Sequence, residues 1–476
     1  MLGGIMFFSW IRTWSITRRL TFSFALVILI GSILLSLPFF QYQNASESVY
    51  LDHLFNVVSM VCVTGLSVIP ISEVYNGFGQ MVAIILMQIG GLGLVTLIAF
   101  STFALQKKMD LSGHSLLQSA LNRNDSTNLK HYLFFAYKVT FAIESIAFLV
   151  ILTDFIPRFG LKNGIFNSLF LAVSAFCNAG FDNFGSNSLT DFVVNPTINF
   201  VVALLIIFGG IGFAVWYDLS NNLKRYFYDK PKCHGLFYQK LSNQTRLILQ
   251  TTLIILITGT LITWFMEKDN PNTIANYNLW QQLMISFFQT VTMRTAGFAT
   301  LSYTDTLAPT NFLYMIQMII GGAPGGTAGG VKVTTVAIVF LLLKSELKAQ
   351  SQVTFHHRMI ASKTVKQTMS VLIFFFTILT IGYILLLAVE PYIDPVALLF
   401  EAISAIDTVA LLFEAISAID TVGVTMNVTP KLSTPGRIII MLLMFIGRVG
   451  PITFLLSLIA RKEKTIRYAT TDILVG

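Results

Sequence analysis

Four short segments of the sequence carry the residues that could do chemistry, and each segment is centred on a glycine. The glycines are Gly65, Gly180, Gly297 and Gly423, and a phenylalanine stands ten residues before each of them. A hydroxyl side chain stands six residues before three of the glycines and five residues before Gly297. Glycine allows backbone conformations that aim consecutive carbonyl oxygens at one axis. Rings of such carbonyls can replace the water around a cation, so this pattern predicts coordination of a dehydrated ion.

Each candidate coordinating segment consists of the glycine and the two residues before it. The prediction therefore assigns twelve residues to the site: Val63, Thr64, Gly65, Asn178, Ala179, Gly180, Thr295, Ala296, Gly297, Thr421, Val422 and Gly423. A competing interpretation is that these segments are helix-breaking turns in a transporter that has no pore. Four segments in the same register favour the coordinating site over four unrelated turns.

The element before each glycine must be a short apolar helix that positions the coordinating segment. A half-helix of about 12 residues is about 18 Å long, so it can enter a membrane but cannot cross it. The irregular backbone that follows is tolerated at membrane depth only beside water, an ion or protein. The carboxyl ends of such half-helices carry partial negative charge, which also favours a cation.

The composition places these elements in a lipid bilayer. Of the 476 residues, 54% are hydrophobic and 11% are charged, whereas an ordinary soluble protein has about 25% charged residues. A membrane-spanning helix needs about 20 apolar residues, and seven runs are long enough: Leu20–Phe40, Gly79–Phe103, Tyr132–Ile156, Asn199–Tyr217, Leu247–Phe265, Val371–Val389 and Ile438–Ile459. Three cysteines without a pairing pattern predict neither a disulfide framework nor a metal cluster.

The net charge of +8 is distributed in a way that argues against nucleic-acid binding. Lysine and arginine concentrate in five segments that alternate with less basic connections. Because basic residues favour the cytoplasmic side of a membrane, the sequence predicts an even number of crossings with both termini in the cytoplasm.

Internal repetition predicts an all-α membrane protein with four tandem repeats, each a helix, a pore half-helix and a second helix. A second glycine landmark begins 24 to 29 residues after each first glycine, at Gly90, Gly209, Gly321 and Gly447. Eight transmembrane helices would then surround a pseudo-fourfold central pore. The predicted organisation is a cytoplasmic N-terminus over 1–19, repeats over 20–106, 131–218, 246–348 and 364–460, and a cytoplasmic tail over 461–476.

The four segments resemble those of a known family of transporters. VCVTGL, FCNAGF, RTAGF and TVGVT are similar to the filter segments of the Ktr/Trk/HKT superfamily, and the chain looks closest to the bacterial KtrB-type membrane subunit. The resemblance covers the chain from about Thr17 onward. It implies potassium uptake across the bacterial plasma membrane by a homodimer with one pore in each subunit. It also implies a cytoplasmic ring of nucleotide-binding regulatory subunits of the KtrA type and transport that sodium stimulates, with sodium as a second ion.

A glycine-rich stretch in the sixth predicted crossing is the candidate gate. It resembles the intramembrane gate of that family and consists of Gly321, Gly322, Ala323, Pro324, Gly325, Gly326, Thr327, Ala328, Gly329 and Gly330. Glycine and proline disfavour a helix interior by about 1 and 3 kcal/mol, respectively, which predicts a loop just inside the filter. The resemblance suggests that Arg448 contacts this loop. A kink for helix packing is the alternative, whereas a phosphate-binding loop would need a Gly-Lys-Ser/Thr sequence that is missing here.

Two charged residues occupy equivalent positions in the third and fourth repeats. Arg294 and Asp420 each stand three residues before the anchoring glycine. Since adjacent repeats are neighbours in a fourfold ring, we predict an Arg294–Asp420 ion pair behind the filter. The family usually has a small residue at the position of Asp420, so this carboxylate is a departure from its pattern.

The fourth repeat contains an exact tandem duplication. Residues 396–408 and 409–421 both read VALLFEAISAIDT. Only the second copy places a phenylalanine, Phe413, ten residues before a glycine, so it is predicted to form the fourth half-helix. A helical break is expected near Asp407 and Thr408, because both copies in one helix would be about 39 Å long.

Three classes of function fit the sequence to different degrees. The leading prediction is a potassium-translocating subunit with a four-segment carbonyl filter and a loop gate. The alternative is an alternating-access carrier coupled to sodium or protons, although such carriers commonly use inverted repeats and these repeats run in one orientation. An enzyme or scaffold is disfavoured because the sequence has no evident nucleophile–base pair, metal-ligand spacing or cofactor loop.

Overall fold

The computed structural model describes residues 16–43, 48–93, 129–185, 188–228, 237–390 and 402–458. These residues are mostly α-helical, and a two-residue antiparallel hairpin joins β1 (Thr354–Phe355) to β2 (Arg358–Met359). The predicted tail over 461–476, most of the predicted N-terminal segment and residues 94–106 of the first predicted repeat lie outside the described residues.

The first repeat has a long outer helix, a pore helix and a shorter second helix. Its elements are α1 (Ile16–Ser36), the 3-10 turn Pro38–Phe40, α2 (Tyr50–Cys62), α3 (Ile71–Val74) and α4 (Gly77–Leu92). The side chain of Asn76 accepts hydrogen bonds from two amides in the first turn of α4, at 3.0 and 3.1 Å. This capping residue explains where the helix begins.

The second repeat has the same order but sharper bends. Its elements are α5 (Leu129–Cys177), the 3-10 turn Thr190–Phe192, α6 (Pro196–Gly210) and α7 (Phe213–Tyr228), followed by the short α8 (Phe237–Lys240). Gly160, with φ 76° and ψ 171°, divides α5 into an outer helix and a pore helix. The axes of α6 and α7 differ by 94°, and Gly212 between them has the left-handed φ of 93°.

The third repeat contains the glycine-rich stretch as a loop between two helices. Its elements are α9 (Asn243–Glu267), α10 (Leu279–Thr292), α11 (Ala308–Ile319) and α12 (Val333–Leu347). Asn278 caps α10 by accepting a hydrogen bond from the Gln281 amide at 2.9 Å. The Glu267 carboxylate at the end of α9 accepts one from the Leu307 amide at 2.9 Å, which fixes where α11 begins.

The fourth repeat completes the set. Its elements are α13 (Ser362–Val389), α14 (Ala402–Ile419), the 3-10 turn Thr429–Lys431, α15 (Thr434–Val449) and α16 (Pro451–Leu458). Glu390 at the end of α13 accepts a hydrogen bond from the Ser433 amide at 3.0 Å, just before α15. An ion pair between Arg437 of α15 and Asp52 of α2 joins the fourth repeat to the first.

Four of the described helices are long and apolar enough to cross a membrane, and they begin the four repeats. They cover Thr17–Ser36, Lys130–Cys177, Asn243–Glu267 and Ser362–Val389. The bent pair α6–α7 is a fifth span if it is counted as one. The described second helices of the other repeats are shorter, with 16 residues in α4, 12 in α11 and 16 in α15. Eight full crossings therefore remain a prediction.

The pore helices form the buried centre of the molecule. The landmark residues Phe55, Phe170 and Phe413 are fully buried. The corresponding prediction for the third repeat is off by one residue, since Phe288 is fully buried and Phe287 is half-buried. The cause is one residue fewer between the buried phenylalanine and the glycine, which also explains why the hydroxyl stands five residues before Gly297.

The duplicated segment does not break where the sequence predicted. Helix α14 begins at Ala402 and runs without interruption through Asp407 and Thr408 to Ile419. Its 18 residues are about 27 Å long, and the helical part of the sequence contains no glycine or proline to stop it. The second copy forms the buried pore helix, as predicted, and residues 402–408 of the first copy extend that helix at its amino-terminal end. Residues 396–401 lie outside the described residues.

Candidate functional site

The four predicted coordinating segments share one unusual backbone conformation. Their first residues have left-handed φ values of 53–63°, and this set is Val63, Asn178, Thr295 and Thr421. Their third residues, the four glycines, have φ values of 70–100°. The residue between them is not in the left-handed region. This alternation turns successive carbonyl groups toward the same side of the chain, which is the arrangement that a carbonyl-lined ion site requires.

A hydroxyl group from each pore helix supports the segment that follows it. The Gly65 amide donates to Ser59 Oγ at 3.1 Å, and the Phe181 amide donates to Ser174 Oγ at 3.1 Å. In the third repeat, Thr292 instead donates to a carbonyl at 2.6 Å. These are the hydroxyls that the sequence pattern singled out, so their spacing reflects a hydrogen bond between helix and segment.

The fourth hydroxyl makes both kinds of contact. Ser417 Oγ accepts from the Gly423 amide at 3.0 Å and donates to the Val424 carbonyl at 2.7 Å. The Gly423 amide and the Val424 carbonyl therefore bond to the pore helix through Ser417. These bonds hold the fourth segment in the conformation described above.

The four glycines lie in a closed ring in the order of the repeats. A Cβ atom added to Gly65 would be 3.0 Å from the Ala179 carbonyl oxygen, and one added to Gly180 would be 2.7 Å from that of Ala296. A Cβ atom on Gly297 would be 2.7 Å from the Val422 oxygen. A Cβ atom on Gly423 would overlap the carbonyl of Thr64. Because Thr64 belongs to the first repeat, this contact closes the ring. Side chains are therefore excluded from all four positions.

All four glycines also line one outer cavity of about 290 Å³. Asp182 is the carboxylate among the described residues that line this cavity. It follows the second segment directly and accepts a hydrogen bond from the Phe184 amide at 3.2 Å. Burial raises the pKa of Asp182 to about 6, against the opposing effect of its hydrogen bonds.

The second glycine landmark has a packing role that the sequence did not reveal. Added Cβ atoms at Gly90, Gly209 and Gly447 would overlap carbonyls in the last turn of the pore helix of the same repeat. These glycines let the second helix touch the pore helix end directly. The third repeat differs, because Gly321 faces the Gly329 backbone of the loop instead.

The glycine-rich stretch folds as a loop that is bonded to the second repeat. The Ala323 amide donates to the Gly210 carbonyl at 2.8 Å, and the Thr327 amide donates to the Gly209 carbonyl at 3.2 Å. The Thr327 hydroxyl donates to the Phe176 carbonyl at 3.1 Å, at the end of the second pore helix. The loop therefore lies beside the end of the second pore helix, next to the segment that begins at Asn178.

Two cations contact the carbonyls of this loop. Arg448 donates to the Thr327 carbonyl and also to the carbonyls of Gly90 and Gly91, so it joins the loop to the first repeat. Lys332 donates from Nζ to the carbonyls of Ala328 at 2.8 Å and Gly329 at 3.2 Å. The loop contact expected for Arg448 is present, and Lys332 points into the loop as well.

The predicted Arg294–Asp420 ion pair does not form. Arg294 is buried with its Nε unpaired, and no ion pair joins it to Asp420 in the described part of the chain. Asp420 instead faces the loop, since its Oδ1 would be 2.8 Å from a Cβ atom on Gly330. Asp420 therefore points to the glycine-rich loop of the third repeat and not toward Arg294. The predicted ion pair was wrong. The charge that interacts with Asp420 is Lys332.

Each of the four segments contains one buried polar side chain with an atom that has no hydrogen-bond partner among the described residues. These side chains are Thr64, Asn178, Thr295 and Thr421. Buried polar groups are nearly always satisfied, so unpaired oxygens beside converging carbonyls are suited to contact an ion or its water.

Long apolar helices around a buried set of coordinating segments define an α-helical, multi-pass membrane protein. The chain belongs to the TrkH family of cation transport proteins, whose family model matches residues 20–466.

Characterised relatives match almost the whole chain. The Ktr system potassium uptake protein B of Bacillus subtilis is 32% identical over 98% of this chain and 98% of its own length. The potassium/sodium uptake protein NtpJ of Enterococcus hirae is 34% identical over 95% of both chains. The crystal structure of the potassium transporter TrkH from Vibrio parahaemolyticus superposes with a TM-score of 0.67 at 16% identity, over 92% of this chain and 84% of that one. This last similarity establishes the fold alone.

Proposed function

We propose that this chain is the potassium-translocating subunit of a bacterial uptake system and that its four coordinating segments form a selectivity filter around a central pore. The ring of glycines carries this proposal, because each one approaches a carbonyl of the next repeat. A carbonyl ring can replace the hydration shell of potassium without a large loss of free energy. The names of the two relatives, both potassium uptake proteins, support the choice of ion.

The loop over 321–330 acts as a gate at the inner end of the filter. Its contacts with Gly209, Gly210 and Arg448 hold it in the ion path. Because those contacts are hydrogen bonds to backbone carbonyls and amides, they can be broken and remade without unfolding a helix. A conformational change in the cytoplasmic part of the assembly would open the path by displacing this loop.

The proposed assembly is a homodimer in the bacterial plasma membrane, with both termini in the cytoplasm. A cytoplasmic ring of nucleotide-binding subunits would regulate it. The word "system" in the name of the Bacillus subtilis relative supports a multicomponent assembly, and the alternating basic segments support the orientation.

Transport into liposomes tests the proposed function. Purified protein in vesicles that contain potassium should accumulate rubidium-86 from outside, and external potassium should compete for uptake far better than sodium. Empty vesicles are the control. Equal competition by sodium and potassium would contradict the selectivity filter, and no uptake with or without regulatory subunits would contradict the proposed function as a whole.

Deletion of residues 396–408 is expected to leave potassium uptake within about twofold of that of the full chain. Among the described residues, Glu414 and Ser417 of the second copy supply side-chain hydrogen bonds from the fourth pore helix to the filter and the chain just beyond it. The deletion leaves both residues in place and removes the described extension of α14 over 402–408. The measurement is rubidium uptake by both chains in parallel, normalised to protein in the vesicles. A tenfold difference in either direction, or about 1.4 kcal/mol, would mean that the first copy acts on the filter.

External acidification is expected to reduce uptake as the pH falls through about 6. Asp182 has a pKa raised to about 6, so its carboxylate is charged above that pH and becomes neutral below it. Protonation removes a negative charge from the outer cavity and lowers the local cation concentration. Uptake at external pH 7.5 and 5.5 should differ in the native chain and should become similar in Asp182→Asn. A pH profile unchanged by this substitution would assign the dependence to another group.

Sodium uptake together with potassium is a second candidate function. The name of the Enterococcus hirae relative, a potassium/sodium uptake protein, favours it. If the chain is an alternating-access carrier, sodium-22 should enter vesicles in a fixed ratio to potassium and only when potassium is present. A filter that sodium merely stimulates would show potassium uptake without accumulation of sodium-22.

A further inference from the structure

A second set of equivalent positions lies one helical turn before the filter hydroxyls. Each of its members stands three residues before the hydroxyl of its repeat and is fully buried, and the set is Asn56, Leu171, Gln289 and Glu414. Three members are polar and one is apolar. A fully buried polar side chain requires hydrogen-bond partners, so the partners of the three polar members indicate what this position does.

The amide members hold the chain where it leaves the filter. Asn56 Oδ1 accepts from the Val68 amide at 3.1 Å, and its Nδ2 donates to the Ile69 carbonyl at 2.8 Å. These two contacts fasten the outer end of the first filter segment to its own pore helix.

The third repeat uses the same device with a longer side chain. Gln289 Nε2 donates to Thr300 Oγ1 at 3.0 Å, and its Oε1 accepts from the Tyr303 hydroxyl at 2.9 Å. Tyr303 also lines the outer cavity. In the first and third repeats, a neutral side chain of the pore helix therefore forms hydrogen bonds with the residues that follow the filter segment. We call this connection the clasp.

Glu414 is the charged member of the set. Its Oε1 accepts from the Thr425 hydroxyl and from the Met426 amide, the latter at 3.0 Å, and its Oε2 accepts from the Thr429 hydroxyl at 2.6 Å. In the described part of the chain, no lysine, arginine or histidine forms an ion pair with it. Burial disfavours the charged form of this side chain and the hydrogen-bond donors around it favour that form, so donors, and not a cation, must stabilise the carboxylate.

The carboxylate lies directly behind the outer mouth of the filter. Its partner Thr425 lines the outer cavity together with Gly423 and Val424 of the fourth segment. An uncompensated negative charge at low dielectric acts strongly on a cation in a nearby narrow space. A neutral amide in this position would make the same mechanical clasp without that field.

We infer that Glu414 is a positioning residue that fixes the outer end of the fourth filter segment and strengthens the binding of potassium at the outer mouth. The inference rests on the proposed function, since it assigns a role within the same filter. Glu414 would thus have two roles. It connects the pore helix to the residues after the filter, as Asn56 and Gln289 do, and it adds an electrostatic effect that those amides cannot supply.

Two substitutions separate the clasp from the charge. Glu414→Gln keeps the size of the side chain and one accepting oxygen, which can retain the bonds from Thr425 and Met426, and it removes the charge. Its NH2 group can donate to the Thr429 hydroxyl, which accepts as well as donates. It should raise the KM for external potassium about tenfold, equivalent to about 1.4 kcal/mol, and retain the preference for potassium over sodium. Glu414→Leu introduces the residue type found at Leu171 and removes the clasp as well, so it should lose much of that preference.

Gln289→Leu is the matched control, because it removes a clasp but no charge. It should weaken selectivity with a smaller change in KM than Glu414→Gln causes. A KM in Glu414→Gln equal to that of the native chain would overturn the electrostatic role. Native selectivity in Glu414→Leu would overturn the positioning role.

A binding measurement that does not require transport distinguishes failure of the inference from failure of the proposed function. Potassium should raise the unfolding temperature of the detergent-solubilised native protein, and half-saturation should require about tenfold more potassium in Glu414→Gln. Native vesicles that fail to take up potassium would contradict the proposed function. Equal half-saturation in the two proteins would contradict the inference independently of transport.

Discussion

Replacement of Gly423 by serine is expected to abolish selective potassium uptake. Gly423 has a φ of 92°, which L-residues with a side chain rarely adopt. A Cβ atom there would overlap the Thr64 carbonyl and would be 2.8 Å from Gly65 Cα. Both neighbours are backbone atoms of the adjacent filter segment, so relief of the clash must displace carbonyls that would contact the ion. We expect rubidium uptake to fall at least about a hundredfold, or about 2.7 kcal/mol in the barrier.

Gly160 provides a matched control for this substitution. It also has a left-handed φ, 76°, but a Cβ atom there would have no neighbour within 4 Å. Gly160→Ser therefore introduces backbone strain of about 1–3 kcal/mol without a clash in the filter. It should lower stability slightly and leave uptake close to native. If Gly423→Ser also retained native uptake and selectivity, the four-glycine ring would not be the selectivity filter.

Sequence repetition located the four segments of the proposed filter because three kinds of residue recur for physical reasons. The phenylalanine is buried, the hydroxyl bonds the segment, and the glycine sits where a side chain would meet the next repeat. Each reason strongly restricts the residue type, so the spacing is the same or nearly the same in all four repeats, although the rest of their sequence differs. The left-handed first position could not be predicted in this way. It holds Val63 in one repeat, and a β-branched residue gives no signal for φ 57°.

The failed ion pair shows what repeat alignment cannot supply. Arg294 and Asp420 are equivalent by position, but equivalence fixes neither the direction of a side chain nor its partner. Asp420 faces Gly330, in the same way that Cys177 faces Gly91 in the second repeat. The ends of the second and fourth pore helices therefore contact the second glycine landmark or loop of the preceding repeat. That geometry depends on how the helices are packed and is not encoded in the spacing of the residues.

The membrane topology and the duplication show a similar limit. Hydropathy located the outer helices of all four repeats, because a span of about 20 apolar residues is distinctive. It placed the second helices as full crossings, whereas several of those described are short and end at glycines. The predicted break in the duplicated segment rested on helix length, but the described helix is continuous through Asp407 and Thr408. Hydropathy therefore predicts that a helix is present better than it predicts the residues at which the helix begins and ends.

Replacement of Arg448 by glutamine is expected to raise potassium uptake in the absence of regulatory subunits about tenfold. The Arg448 guanidinium joins the Thr327 carbonyl of the gate loop to the carbonyls of Gly90 and Gly91. A hydrogen bond from a charged donor contributes about 1.5–3 kcal/mol, so losing this bridge should release the loop from the first repeat. The substitution also removes a positive charge near the inner end of the pore, which lowers the electrostatic barrier to a cation.

Three comparisons make this prediction specific to the gate. Arg448→Lys keeps the charge but loses the planar fork that contacts several carbonyls at once, so an increase in both variants would assign the effect to the bridge. An increase in Arg448→Gln alone would assign it to the charge. Arg437→Gln changes an arginine of the same helix, α15, whose partner is Asp52 and not the loop, and it should leave uptake near native. If Arg448→Gln lowered uptake without loss of folded protein, the bridge would stabilise an open loop, and the proposed direction of gating would be reversed.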